Sequence, residues 1–165
     1  MALHEFPVRA ERTGWRDQEI SARHRLWGFN CPAVDLDFLM VEYNHGKPVG
    51  LVEFKHYLAQ FPNLLHATYR AIVDLADNYR PTDGREPGLP CLIAFYWPDM
   101  WAFRIHPLND LARGWFAEGE LITEREFVSR LYRIRHFAVE PSVLDRLSTA
   151  LPGVVVVADF DELPF

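Results

Sequence analysis

Lysine is nearly absent from this chain: two lysines stand against fifteen arginines in 165 residues. Cysteine is as scarce. Cys31 and Cys91 are the only two, and no CxxC or Cys/His spacing surrounds them, which argues against a structural zinc site. Both thiols are expected to be buried and inert. No apolar run approaches the roughly twenty residues that a membrane-spanning helix needs. The segment from Met1 to Pro7 lacks a signal-peptide pattern, so a cytoplasmic protein without a membrane partner is expected. Internal repeats and low-complexity tracts are missing. So are the P-loop and the glycine fingerprint of dinucleotide folds, which argues against a nucleotide-directed hydrolase.

What is present describes a globular chain. Apolar residues make up 49% and aromatics 14%, enough for one domain over residues 1–165 with a sizeable core. The formal net charge of −6 argues against coating nucleic acid through the overall field, but leaves room for local basic faces. Two such clusters exist: Arg23 and Arg25 near the start, and Arg130 and Arg133 in a later amphipathic stretch.

Hydrophobic periodicity divides the chain into elements. A helix is predicted over 15–26, with Leu26 to Phe29 as an alternative short strand. Residues 34–43 read as a central strand, apolar on both faces, and 49–57 as its partner across the turn Asn44-His45-Gly46-Lys47-Pro48. Pro62 opens a helix to about Asn78, with Leu65, Tyr69, Ile72 and Ala76 as its buried stripe. Strands follow at 91–97 and 101–106. Thr123 and Glu126 form a capping box for a helix to about Arg135, and 154–158 is a last strand. A strand–helix–strand crossover between 49 and 97 implies a parallel pair within a mixed sheet. The fold class is therefore α/β, a central mixed sheet flanked by helices.

One of the two lysines closes the triplet Glu53-Phe54-Lys55. Composition alone predicts about 0.3 acidic-x-Lys triplets in such a chain, so the triplet is weak by itself. Its placement is more informative. Alternation puts Glu53, Lys55 and Tyr57 on one face of their strand, and Asp35 and Asp37 share one face of the strand before it. Carboxylate oxygens suit Mg2+ or Mn2+, and the Phe54 carbonyl can add a third oxygen. Lys55 can orient or deprotonate a metal-bound water, or neutralise charge developing on a phosphate. Asp37 is preferred over Asp35 as a ligand because it lies nearer the turn and closer in spacing to Glu53.

A helical Glu19, a strand Asp37 (or Asp35), a short turn and Glu53-x-Lys55 on the next strand resemble the signature of the PD-(D/E)XK nuclease superfamily. That superfamily includes restriction endonucleases, Holliday-junction resolvases and RecB-type nuclease domains. The resemblance covers residues 15–97, with 98–165 as a C-terminal helical and strand elaboration. It implies a restriction endonuclease-like core of αβββαβ order and a DNA nuclease dependent on Mg2+ or Mn2+. Asp37, Glu53, Lys55 and Glu19 would be its catalytic residues, and Asp37, Glu53, Phe54 and Asp35 its metal ligands. Arg23, Arg25, Arg130 and Arg133 would contact DNA, and a homodimer is compatible. Two departures stand out: the superfamily's Pro-Asp is stretched to Pro32-Ala33-Val34-Asp35, and only seven residues separate Trp27 from Asp35. They keep open the alternative of a catalytically inactive module on the same scaffold, binding nucleic acid or a protein.

Overall fold

The computed structural model describes Arg23, Leu26 and residues 36–42, 46–135 and 141–149. The chain divides into two compact units, Met1–Asp35 and Leu36–Phe165. In the first, Arg23 and Leu26 are both helical, which agrees with a helix reaching Leu26 and removes the alternative of a strand starting there. All further elements belong to the second unit.

The second unit is built on a five-stranded mixed sheet in the order β1-β2-β3-β4-β5. Strand β1 (Phe38–Glu42) pairs antiparallel with β2 (Lys47–His56), and Gly46 at φ 62° turns the chain between them. Helix α1 (Ala67–Asn78) carries the chain across to β3 (Cys91–Trp97), which runs parallel to β2. Strands β4 (Ala102–Pro107) and β5 (Glu120–Thr123) extend the sheet antiparallel, with the short helix α2 (Asp110–Arg113) between them. Helices α3 (Glu124–Ile134) and α4 (Pro141–Thr149) follow. This is an α/β fold with a mixed sheet, as the crossover pattern implied. Among the described residues, no helix is long and apolar enough to cross a membrane.

Each face of the sheet has its own core. Leu51 and Cys91 pack against Ile72 and Ala76 of α1, and Ile93, Phe95 and Trp97 pack near Tyr69. On the opposite face Val52, Leu92, Phe103 and Ile105 meet Phe116 and, from α3, Phe127 and Ile134. The two groups alternate along β2 and β3, as period-two side chains require. Asn109 joins the layers at one end. Its carboxamide oxygen accepts from Cys91 N at 3.1 Å and Ala112 N at 3.0 Å, and its amide donates to Asp77 Oδ1 and Leu89 O, both at 2.8 Å.

Several expectations are corrected. Among the described residues β1 is an edge strand, not a central one, and Phe38 and Leu39 are half exposed. The crossover helix begins at Ala67, not Pro62, because Asn63 captures the amides of Leu65 and His66 in a turn, and His66 then caps the helix. Leu65 thus lies outside the helix and is exposed. Strand β5 and helices α2 and α4 carry patterns too short to stand out in the sequence. Trp101 belongs to a turn, not to β4. The Thr123 half of the capping box is as expected: its Oγ1 accepts from Glu126 N at 3.3 Å, while the Glu126 carboxylate pairs with Arg130. The strand assigned to 154–158 lies outside the described residues.

Replacing Asn109 with Ala strands two buried amide donors, Cys91 N and Ala112 N, and one buried acceptor, Leu89 O, and frees the exposed Asp77 carboxylate. Equilibrium urea unfolding of N109A is expected to show a loss of about 3 kcal/mol, whereas a loss below about 1 kcal/mol would show that water takes over these bonds.

Candidate active site

Strand β2 sets the orientation of the site. Phe54 turns its ring into the α3-side core, edge-on to Phe38 at 5.0 Å and to Phe127 at 6.1 Å. Alternation then presents Glu53 and Lys55 to the other face, the side covered by α1. The β1–β2 register pairs Phe38 with Val52 and Leu39 with Leu51. Continued by one pair, it sets Asp37 opposite Glu53. Asp37 and Glu53 do line one small cavity of about 10 Å3, walled by apolar groups including Leu51, Ile72, Cys91 and Leu108. That volume is on the scale of a single water molecule. The Cys91 thiol in this wall is free, and burial pushes its pKa up to about 12, so it is an inert apolar neighbour.

Glu53 is held from two directions. Its Oε1 accepts from the Tyr69 hydroxyl on α1 at 2.8 Å and pairs with Lys55 Nζ at 2.5 Å. Oε2 takes part in neither bond. The hydrogen bond to Glu53 raises the Lys55 pKa above its ordinary value, outweighing the opposing effect of burial. Burial and then the same carboxylate raise Tyr69. Both partners therefore remain protonated donors across the physiological range. Beside Glu53, Lys55 is an ammonium, suited to stabilising negative charge.

The Phe54 carbonyl has a definite direction. Leu51 N donates to Pro90 O and Tyr57 N to Tyr96 O, each at 2.9 Å, so odd-numbered amides of β2 point to β3. Even-numbered ones point to the β1 side, where the β1 register ends at Phe38 opposite Val52. The Phe54 carbonyl thus lies on that edge, beyond the last β1 pair.

Glu19, Asp35 and Arg25 lie outside the described residues. Arg23 is helical and exposed within the first unit. Arg130 and Arg133 belong to α3, on the opposite face of the sheet from Lys55. Arg130 is a structural clamp: it binds Glu120 at 2.6 and 2.7 Å, Glu126 at 2.5 Å and Trp115 O at 3.0 Å. Arg133 is exposed, its guanidinium 5.8 Å from the Trp115 ring centroid. Tyr69 is the contributor that the motif reading missed. Its signal was a polar tip in an otherwise apolar helical stripe.

No family model matches this chain, and no curated protein or solved structure does either.

The donor set passes a test of chemical fit for a hard divalent cation. Two carboxylates line one small cavity and a backbone carbonyl lies on the adjoining edge. Mg2+ is commonly bound through one or two carboxylates, with water and substrate phosphate completing its shell. Among the described residues, no three His, Cys, Asp or Glu side chains converge as an all-protein metal cage.

The raised Lys55 pKa has a consequence for stability. Relative to the unfolded chain, the folded state binds the Lys55 proton more tightly. Stability from this pair is complete below the ordinary value of 10.5 and is lost as pH rises through the higher folded value. The gap in unfolding free energy between wild type and Lys55→Met is expected to narrow as pH rises above 10.5. A gap constant over that range would contradict the pairing. Tyr69→Phe, read by the same unfolding assay at neutral pH, is expected to cost about 1 kcal/mol.

Proposed function

We propose that this protein is a Mg2+- or Mn2+-dependent nuclease that hydrolyses DNA phosphodiester bonds, acting in the cytoplasm. The observation that carries this reading is the shared cavity of Asp37 and Glu53, with Lys55 one alternation further along the same strand. The placement resembles the PD-(D/E)XK arrangement, and the α1 crossover between β2 and β3 is compatible with a restriction endonuclease-like core.

In this reading Asp37, Glu53 and the Phe54 carbonyl would hold the cation. When bound, the cation supplies Lewis acidity and a nucleophilic water. Tyr69 keeps the Glu53 carboxylate aimed into the cavity. Lys55, as an ammonium, faces the scissile phosphate and stabilises the charge that builds on its oxygens during in-line displacement. The structural work of Arg130 makes it a poor DNA ligand, and Arg133 lies away from Lys55. A second copy of the chain is compatible with this scheme but not needed by it.

One observation favours a second reading. Lys55 and Tyr69 both engage Glu53 Oε1, a closed set that suits a scaffold binding nucleic acid or a protein without turnover. Incubation with plasmid, single-stranded and branched DNA in Mn2+ separates the two. The nuclease is expected to cut at least one form, and D37A, E53A and K55A are each expected to lower the rate at least about 100-fold. Cleavage that survives both E53A and K55A would remove the site. Binding without cleavage by wild type, with no Mn2+ uptake by calorimetry, would favour the inactive module.

A further inference from the structure

The turn from Trp97 to Trp101 joins β3 to β4 beside the C-terminal end of β2, where Lys55 lies. It is built at a loss on two counts. Trp101 adopts φ 48°, the only non-glycine residue with positive φ among those described. A large side chain is strained in that conformation, which glycine or asparagine adopts readily. Trp97, which opens the turn and is 8% exposed, buries its indole N–H with no acceptor. Unpaired buried donors are rare and call for an explanation.

The strain puts a ring on display. Trp101 is 37% exposed and lies nearly parallel to Tyr96, with centroids 6.2 Å apart and planes at 14°. The ladder continues from Tyr96 to His56 at 5.6 Å, from His56 to Tyr57 at 4.6 Å and from Tyr57 to Trp97 at 5.6 Å. It begins on the face opposite Lys55 and ends on the Lys55 face, wrapping the end of the sheet.

We infer that Trp101 is a stacking platform for an unpaired nucleobase, so that the substrate is single-stranded or frayed DNA. A flat ring presented at the end of an existing stack, whose member His56 adjoins the phosphate-facing Lys55 in sequence, matches how single strands are bound: bases on aromatic faces, backbone near cations. Bases inside a duplex offer no free face. The inference rests on the nuclease reading for the identity of its substrate.

The test measures anisotropy of a fluorescein-labelled oligothymidylate, and of a duplex of the same length, with EDTA present so that no strand is cut. Trp101→Gly suits the turn and removes the ring. It is expected to weaken single-strand binding by about tenfold, to leave duplex binding unchanged, and to melt at or above the wild-type temperature. Trp101→Phe is expected to keep most of the single-strand affinity. Unaltered single-strand binding by W101G would overturn the inference. So would a melting temperature well below wild type, which would make the ring a structural plug. Loss of single-strand binding in W101G, alongside wild type that shows no Mn2+-dependent cleavage, would uphold the platform and defeat the nuclease reading.

Discussion

The Phe54 ring decides which way β2 faces. It is gripped edge-on by Phe38, Phe103 and Phe127, and Val52 on the same side is buried in that core. A slip of one residue would send both into the α1 interface and carry Glu53 and Lys55 into a wholly apolar layer. The Glu53–Lys55 pair would move together but lose Tyr69 and its access to water, and desolvating an ion pair in an apolar layer is costly. The aromatic packing under β2 therefore does more than stabilise the sheet. It makes the orientation of the two charged side chains non-negotiable and aims them at the space beneath α1.

Once there, the charges need partners, and the fold supplies them from different elements. Lys55 comes from the same strand and Tyr69 from the crossover helix. The parallel pairing of β2 and β3 is what brings α1 across this face, because a parallel connection requires a crossover. Asn109 anchors the far end of that arrangement by tying Asp77 at the foot of α1 to Cys91 at the start of β3. The site thus depends on a chain of local causes: an aromatic lock, a strand alternation, a crossover and a carboxamide hub.

Much of this was legible in the residues. The turn at Gly46, the parallel pair spanning α1, the Thr123 cap and the shared phase of Glu53 and Lys55 all follow from short-range rules. Asp37 comes opposite Glu53 because the ladder shifts by one residue between Met40 and Val41, an irregularity that turn length and alternation do not reveal. Three features escaped for physical reasons. The start of α1 was misplaced because Pro62 is a common first helical residue, while the competing turn depends on one Asn63 side chain. Strand β1 looked central because both of its faces are apolar, yet among the described residues only β2 pairs with it. Tyr69 was read as core because helical periodicity registers its ring and is blind to the hydroxyl at its tip. Arg130 was misjudged in the opposite sense, since sequence alone does not distinguish a solvated arginine from one clamped by Glu120 and Glu126.

The most direct test of the account is anomalous diffraction from crystals soaked in Mn2+. The account predicts a single strong peak bounded by the Asp37 and Glu53 carboxylates, with Lys55 Nζ drawn away from Glu53. Crystals that take up Mn2+ only elsewhere, or none, with the Lys55–Glu53–Tyr69 set unchanged, would contradict it.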